Sequence, residues 1–460
     1  MNILFSWHDK SYEDHKDFFN QFHGVLERQG VRTIFWLWKN TQNAPFPSVN
    51  LPQNLFRYDS LRIPKAYKQV ESFQLEPTEV DRYIEREALW AETSFTAKQS
   101  TQLQEAAEAC FKLLNLLFNS NQLSLCVIYN PNRVSSMILE KIALAHKVPI
   151  RYIERGFLPG YYHWDPRGML VDSELSLSTS LEELDTRPIS TETVATLDQL
   201  SSKVDSWWQQ GQAQGENALR KALNIPVNAT ILFFPGQVDA DTQNFLYSPY
   251  FNSTLEAWSW LVNRVAQEKD VYLLGKHHPM SSATKDAFEQ VATKQPNTAW
   301  LSDLSISDCL ALCDVVISVN STVISEALLR KIPVVQLGQS VFTGKGIVWE
   351  WNGDNQHFHH LLTSARDKIS LASQIRRYQS FADKALSEYY FRGDETPSVS
   401  SRLVKFIEDS IDDRKNALAM DTVKVEEARW SINLWSKQSS YVKILRAIAK
   451  PVIKCIKQFF

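Results

Sequence analysis

Short apolar runs alternate with longer amphipathic segments along most of the chain, the pattern of an α/β protein with parallel sheets. In the first half, the apolar runs predict strands at Asn2–Trp7, Arg32–Trp38, Ser124–Tyr129 and Pro149–Glu154. The segments with helical periodicity predict helices at Tyr12–Gln29, Ala97–Phe118 and Val134–His146. The stretch 40–64 is rich in Asn and Pro and predicts a loop, whereas 191–223 predicts a helical region between two halves.

A second alternation starts at Thr230 and has the length of a complete Rossmann-like unit. Its predicted strands are Thr230–Gly236, Asp270–Gly275, Thr298–Leu301, Asp314–Val319 and Ile332–Leu337. Its predicted helices are Thr254–Gln267, Ser282–Thr293, Ile306–Cys313 and Val323–Arg330, followed by one or two closing helices over Leu362–Tyr389. Ligands of open α/β sheets bind at the carboxyl ends of the strands, so we expect a cleft between the two units.

The length of 460 residues supports two domains, because a single hydrophobic core rarely serves more than about 250–300 residues. We predict an N-terminal Rossmann-like domain at 1–216, a C-terminal Rossmann-like domain with closing helices at 217–412, and a basic tail at 413–460. The fold class predicted is therefore α/β, with two Rossmann-like domains facing a central cleft and an amphipathic helical tail.

Charge is distributed unevenly, although the net charge is only −3. The last 25 residues contain six basic side chains and no acidic one, so the preceding 435 residues carry −9. Apolar residues in this tail recur at helical spacing opposite the basic ones, which predicts an interfacial helix on anionic lipid that Pro451 would kink. A terminal helix packed on the domain is the alternative. The first 435 residues are acidic, so we do not expect nucleic acid as a partner.

Several other classes of protein are disfavoured by the composition. The 14 glycines form neither a P-loop nor a G-x-G-x-x-G loop. Cys309 and Cys313 have no nearby His, so we expect buried thiols and no metal site. The N-terminus has no basic flank and predicts a strand, not a signal peptide, and the chain has no apolar run of 18 residues.

Polar clusters follow three predicted strands of the second half. Asn320, Ser321 and Thr322 precede a predicted helix, where they either cap its N-terminus or bind a phosphate. Lys276 and His278, which Pro279 follows, are positioned to add donors beside the same phosphate.

Carboxylates accompany these clusters. Glu326 either favours the helix start or accepts from ribose hydroxyls. Asp239 and Asp241 are exposed turn acids, a D-x-D metal motif, or catalytic carboxylates at the mouth of the cleft, and we favour the last. Glu154 and Arg155 follow a strand of the first half in the same way.

These segments, in this order, resemble the bacterial capsule polysaccharide biosynthesis family, which includes β-Kdo transferases. The resemblance covers roughly 125–349. It rests on Ile153-Glu-Arg-Gly-Phe-Leu-Pro-Gly160 with Asp165-Pro-Arg-Gly168, Phe234-Pro-Gly-Gln-Val-Asp-Ala-Asp241, Lys276-His-His-Pro279, Val319-Asn-Ser-Thr-Val-Ile-Ser-Glu-Ala-Leu328 and Pro333-Val-Val-Gln-Leu-Gly338 with Gly346. Two positions depart from the family pattern, because His277 replaces a Pro and Ile324 replaces a Gly.

The resemblance implies a GT-B-type fold and a CMP-activated 2-keto sugar acid, most simply Kdo, as donor. It also implies that the domain at 1–216 binds the acceptor and that the domain at 217–412 binds the nucleotide-sugar. It implies that the CMP phosphate is bound by His278, Ser321 and Thr322, with Glu326 at the ribose. Gln237 and Asp241 match the Q-x-x-x-D pair of the family, and Glu154 would face Asp241 from the other domain.

We therefore expect a retaining transfer with Asp241 as nucleophile, Asp239 as the fallback and Glu154 as general acid/base. Arg155 or Lys276 would hold the carboxylate of the donor, and neither a metal nor another cofactor is expected. The acceptor would be a lipid-linked surface glycan at the inner face of the bacterial inner membrane. A CMP-sialic acid-dependent sialyltransferase and a non-catalytic scaffold of a polysaccharide-assembly complex are the alternatives.

Overall fold

The computed structural model describes most of the first 412 residues. The described ranges are 2–7, 16–28, 30–37, 48–49, 77–90, 95–202, 220–239, 241–266, 268, 270–281, 283–392 and 397–412. The predicted basic tail at 413–460 lies outside them, as do 203–219 of the predicted helical region.

The first sheet has seven strands in the order β13-β6-β5-β4-β1-β2-β3. Strands β1 to β5 pair in parallel, and β6 and β13 extend the sheet in antiparallel pairs. The parallel part has the 3-2-1-4-5 order of a Rossmann fold. The strands are β1 (Asn2–Trp7), β2 (Arg32–Leu37), β3 (Ser48–Val49), β4 (Leu123–Tyr129), β5 (Ile150–Arg155), β6 (Tyr161–Asp165) and β13 (Tyr390–Arg392).

The second sheet has six strands, all parallel, in the order β12-β11-β10-β7-β8-β9. Numbered from its own first strand, this is 6-5-4-1-2-3, the complete Rossmann order. The strands are β7 (Thr230–Pro235), β8 (Val271–Lys276), β9 (Thr298–Leu301), β10 (Val315–Ser318), β11 (Val334–Gln336) and β12 (Trp349–Glu350).

Helices connect and cover the strands of both sheets. In the first half they are α1 (Lys16–Arg28), α2 (Pro77–Trp90), α3 (Ala97–Asn121), α4 (Val134–Ala145), α5 (Glu174–Ser178), α6 (Leu181–Thr186) and α7 (Thr191–Ser202). In the second half they are α8 (Thr242–Tyr247), α9 (Thr254–Val265), α10 (Lys285–Ala292), α11 (Ile306–Leu312), α12 (Val323–Leu329), α13 (Asn355–Arg366), α14 (Leu371–Lys384) and α15 (Pro397–Asp412).

Side chains of successive strand residues alternate between the two faces of each sheet, as the period of a β-strand requires. In β1, Leu4 packs into one core while Ile3 and Phe5 pack into the other. In β7, Phe233 and Phe234 divide between two cores in the same way. Both faces of both sheets are therefore buried, which is why the strands have near-continuous apolar sequences.

One core contains residues from both halves of the chain. Phe157, which follows β5, stacks on Phe381 of α14 with ring centroids 5.4 Å apart, and both side chains belong to the core that includes Phe233. Arg187 extends this contact with an ion pair of 3.1 Å to Asp383. The two sheets are thus joined by apolar packing and by charge.

The chain returns to the first sheet after completing the second. Strand β13 pairs with β6, where Tyr390 lies opposite His163, and α15 packs against β4 and α1. The sequence prediction placed these residues in the second unit. Their pairing with a strand more than 200 residues earlier carries no local sequence signal.

The α/β class and the two Rossmann-like units, the architecture of the GT-B type, are confirmed. All nine predicted strands are present, with ends shifted by a few residues. The prediction of an uninterrupted loop over 40–64 was wrong, because Ser48–Val49 pairs in parallel with β2. Helix α2 and strands β6, β12 and β13 were not predicted.

Candidate active site

The order of the second sheet reverses between β7 and β10, and this reversal creates a crevice at the carboxyl ends of the two strands. Gln237 follows β7, and Asn320 follows β10. The Gln237 side chain donates to Asn320 Oδ1 at 2.8 Å and accepts from the Asn320 backbone N–H at 3.2 Å. Both residues are buried, with 7% and 5% of their surfaces exposed. The amide pair fixes the spacing of the two loops that border the crevice.

A glycine allows the loop after β7 to approach the loop after β8. The Gly236 N–H donates to the carbonyl of Lys276 at 2.8 Å. A Cβ atom at position 236 would lie 2.6 Å from that same carbonyl oxygen and 3.2 Å from the backbone N of His278. Only glycine fits this contact, which brings the His278 segment beside the crevice.

His278 is held in one tautomer by its own turn. Its Nδ1 accepts from the backbone N–H of Met280 at 3.1 Å, so the neutral ring carries its proton on Nε2. Burial, with smaller contributions from Lys276 and His277, lowers the pKa of His278 to about 4. His278 is therefore a neutral hydrogen-bond donor at physiological pH.

The neighbouring Lys276 and His277 both contact other parts of the protein. Lys276 is 3% exposed, and its Nζ lies 3.3 Å from the carbonyl oxygen of His277. Burial lowers the pKa of its ammonium group. The His277 ring contacts Phe288 and accepts from the Trp300 indole N–H at 3.4 Å. His277, at the position where the family has a Pro, thus packs on aromatic side chains. Pro279, on the other side of His278, is exposed.

The loop after β10 presents hydroxyl groups at the start of α12. Ser318 Oγ accepts the N–H of Ser321 at 3.1 Å, and Ser321 Oγ accepts the N–H of Val323 at 3.3 Å. Thr322 is the N-cap residue, but its exposed side chain makes no capping bond. Helix capping therefore explains the hydroxyl group of Ser321. It does not explain the hydroxyl group of Thr322.

Glu326 lies one turn into α12 and is partly buried. Burial raises the pKa of its carboxyl group, and the nearby Arg330 opposes that shift. The residue before Glu326, Ser325, forms a hydrogen bond of 2.7 Å between its Oγ and Tyr378 Oη. Ile324, at the position where the family has a Gly, is fully buried in the core. The departure at this position therefore changes packing behind the helix.

The two aspartates after β7 have different surroundings. Asp239 Oδ1 accepts the N–H of Thr254 at 2.6 Å, at the N-terminus of α9. Asp241 is exposed and directly precedes α8. Its backbone N–H donates to Val238 at 3.0 Å. Asp239 thus has a structural role that explains its presence, whereas Asp241 is exposed where the chain enters α8.

In the first sheet, Glu154 and Arg155 end β5. Glu154 is partly buried and Arg155 is exposed. The following Gly156 donates to the carbonyl of Tyr161 at 2.8 Å, which closes a tight β5–β6 connection. Glu154 belongs to the first sheet and Asp241 follows a strand of the second. That the two carboxylates face each other stays a prediction.

Two polar residues near the site, Asn244 and Tyr247, had no predicted role. Asn244 accepts from the Gln237 side-chain amide at 3.2 Å, and its own amide donates to Val238 at 2.7 Å. Tyr247 donates to Asp172 Oδ2 at 2.5 Å and so joins α8 to the first half of the chain. Asn244 and Tyr247 lie three and six residues after Asp241, at helical spacing, which was the available signal.

Asp165, in the quoted Asp165-Pro-Arg-Gly168 segment, is also structural. Its fully buried carboxylate accepts backbone N–H groups of Arg167, Gly168, Glu174 and Leu175 at 2.8–3.2 Å. Burial acts to raise its pKa, but the His163 contact and these donors hold the pKa below its ordinary value. Within the described ranges, no group of three or more His, Cys, Asp or Glu residues is arranged to hold a metal ion.

Comparisons with known proteins agree with the sequence motifs. Residues 196–387 match the family described as "Capsule polysaccharide biosynthesis protein". Protein FixF of Sinorhizobium fredii (strain NBRC 101917 / NGR234) is 23% identical over 236 residues, which are 49% of this chain. The chain spans about half the length of that relative, since the match covers 51% of it.

Solved structures with low sequence identity include two that cover most of the chain. One is the beta Kdo 2,7 transferase KpsC of Thermosulfurimonas dismutans, with 17% identity, 74% of this chain and 99% of that chain covered, and a TM-score of 0.40. Another is S. aureus MnaA in a co-structure with UDP, with 10% identity, 88% and 96% covered, and a TM-score of 0.38.

The family match includes β7 to β11 and every residue of the crevice described above between Gln237 and Glu326. Residues 196–387 therefore match the model of the capsule polysaccharide biosynthesis family, the same family that the motifs predicted.

Proposed function

We propose that the protein is a glycosyltransferase that moves a 2-keto sugar acid, most simply Kdo, from its CMP donor to a surface glycan. The observation that carries this proposal is the reversal of strand order between β7 and β10, where the Gln237–Asn320 hydrogen bonds link two polar loops. Crevices at such reversals of strand order are where Rossmann-like sheets bind nucleotides.

The donors around the crevice suit a phosphate monoester. His278 is neutral and carries a proton on Nε2, and Ser321 and Thr322 add hydroxyl groups at the start of α12. Neutral donors of this kind stabilise the charge that develops on CMP as it leaves, and they do so without a divalent cation. Glu326, whose raised pKa reflects burial, lies one turn into α12 and would accept from ribose hydroxyls.

A retaining transfer would proceed in two displacements. The Asp241 carboxylate attacks the anomeric carbon, and the bond between that carbon and the phosphate oxygen breaks as CMP leaves. An acceptor hydroxyl then attacks the same carbon, the bond to Asp241 breaks, and Glu154 takes the hydroxyl proton. The hydrogen bond from Thr254 to Asp239 favours Asp241 over Asp239 as nucleophile.

The carboxylate of the donor sugar needs a cation. Arg155 is exposed at the end of β5, whereas Lys276 is only 3% exposed and contacts the carbonyl oxygen of His277. We assign the donor carboxylate to Arg155 for this reason, since a guanidinium group binds a carboxylate in a bidentate manner.

A donor screen tests the proposed activity. The purified protein is incubated with CMP-Kdo, CMP-sialic acid or a UDP-sugar and with a lipid-linked oligosaccharide, and products are identified by mass spectrometry. We expect the acceptor to gain the mass of one Kdo unit with CMP-Kdo and to stay unchanged with the other donors, because only the matching sugar makes the full set of contacts.

Transfer from CMP-sialic acid in place of CMP-Kdo would support the sialyltransferase alternative. Absence of transfer from every donor, together with failure to bind CMP, would support a non-catalytic scaffold. The acceptor is proposed to be lipid-linked, at the inner face of the bacterial inner membrane, because the predicted basic tail favours anionic lipid. Among the described helices, none has the length and apolar character needed to cross a membrane.

A further inference from the structure

A second cavity, of about 250 Å³, lies away from the β7–β10 crevice. It is formed where the returning chain meets the first sheet, between β6, α7, β13 and α15. Its walls include Tyr161, Thr193, Thr196, Tyr390, Arg392 and Arg402. None of the residues proposed to bind the CMP donor contributes to it.

The ionic groups of this cavity favour an anion. Arg392 is exposed, and its guanidinium carbon lies 5.9 Å from the centre of the Tyr161 ring. Arg402 is partly buried on α15, where it donates to the carbonyl of Leu386. The lining contains two arginines and one acidic residue, Glu192, so its net charge is +1. Burial lowers the pKa of Arg402, and a bound anion would counteract that effect.

The size and the remaining lining favour a sugar ring. The volume is below the roughly 300–1,000 Å³ of pockets for drug-sized ligands, so the cavity suits one small unit and not a nucleotide. Tyr161 provides an aromatic face, and Thr196 provides a hydroxyl group. The Thr193 hydroxyl already donates to Asp383 at 2.9 Å and contributes to the wall of the cavity. Aromatic faces with hydroxyl and guanidinium groups bind the apolar face, the hydroxyls and the carboxylate of a sugar acid.

The cavity is connected to the loop that carries Glu154. Tyr161 accepts from the N–H of Gly156 at 2.8 Å, and Gly156 is two residues after Glu154. A ligand held against Tyr161 would therefore lie beside the carboxyl end of β5, on the first sheet, where the acceptor is expected.

We propose that this cavity binds one carboxylate-bearing sugar unit of the acceptor glycan, with Arg392 and Arg402 at the carboxylate and Tyr161 against the ring. The site is separate from the donor crevice, and its role in acceptor binding rests on the proposed function.

Ligand-detected NMR with D-glucuronate, and with D-glucose as the matched neutral sugar, tests the cavity on the full chain. We expect saturable binding of glucuronate and binding of glucose at least about tenfold weaker, because hydrogen bonds to a charged group are the stronger ones. Arg392→Gln should weaken glucuronate binding about tenfold or more, and Arg392→Lys less. Lys405→Gln, an exposed position on the same helix as Arg402, should leave it unchanged.

Equal binding of glucose and glucuronate would overturn the proposal, and so would unchanged glucuronate affinity in a folded Arg392→Gln protein. If that variant does not fold, unchanged affinity in Arg392→Lys would overturn it instead. A parallel titration of the wild-type protein with CMP separates the two claims. Failure to bind CMP contradicts the proposed function, whereas failure to bind glucuronate contradicts the cavity assignment alone.

Discussion

Asp239 and Asp241 stand two residues apart after β7, but their side chains are used differently. Asp239 accepts from the N-terminus of α9, while Asp241 is exposed at the start of α8. The sequence identified both aspartates as candidate catalytic residues. It could not show which of them has a structural role, because the contact that shows this joins Asp239 to Thr254, 15 residues later.

Alanine at position 239 should reduce stability, whereas alanine at position 241 should reduce transfer activity. Asp239→Ala should lower the free energy of unfolding by about 0.5–2 kcal/mol through loss of the bond to the helix N-terminus. Asp241→Ala should leave stability within about 0.5 kcal/mol and reduce transfer at least about a hundredfold. Urea unfolding and the transfer assay measure the two effects. Near wild-type transfer by Asp241→Ala would refute its assignment as nucleophile.

The low pKa of His278 makes a prediction about stability and pH. A histidine whose folded pKa is near 4, against about 6.5 when unfolded, binds fewer protons in the folded state between those values. Stability should therefore fall as the pH drops from 7 to 5, by about 1 kcal/mol from this partly solvated ring. His278→Gln should lose that part of the pH dependence. Identical pH profiles for the two proteins in urea unfolding would exclude a depressed pKa.

At the scale of elements, α8 connects the candidate nucleophile to the first half of the chain. Tyr247, its last residue, donates to Asp172 at 2.5 Å, and its carbonyl accepts from Asn320 at 3.3 Å and from Gln339 at 2.7 Å. The helix has only six residues, so its position depends on these contacts more than on its own hydrogen bonds.

Tyr247→Phe should displace α8 without emptying the core, because only the hydroxyl group is removed. We expect a loss of about 1–3 kcal/mol in unfolding free energy, since Asp172 loses a buried donor. We also expect a larger fall in kcat than a rise in KM, as α8 follows Asp241. A loss of stability with unchanged kcat would show that the helix does not position Asp241.

Periodicity predicted the strands that lie in the middle of each sheet, because burial on both faces makes them apolar throughout. It missed β3, β12 and β13, which have two or three residues each and are too short to show a period, and it also missed the five-residue strand β6. The pairing of Tyr390 with His163 depends on contacts between distant parts of the chain, which no local pattern encodes.

At the scale of the whole molecule, the second Rossmann-like unit and its polar strand ends were predictable, whereas the return of the chain to the first sheet was not. That return places Arg392 and Arg402 against Tyr161 and so forms the second cavity. The sequence offered no reason to associate these three residues, since more than 200 positions separate Tyr161 from the two arginines.

The net charge of the tail predicts membrane association. Deletion of 436–460 should abolish co-sedimentation with vesicles that contain anionic lipid, because it removes six basic residues and the apolar face beside them. Binding of the intact protein should weaken as salt rises. Co-sedimentation that is the same with and without the tail would refute this role.

Calorimetric titration with CMP tests the central claim most directly, that the crevice between β7 and β10 binds a cytidine nucleotide. We predict saturable binding of one CMP per chain, weakened at least about tenfold by His278→Ala, since one hydrogen bond to a charged phosphate is lost. Absence of CMP binding to the folded wild-type protein, or unchanged affinity in the folded His278→Ala variant, would contradict the account.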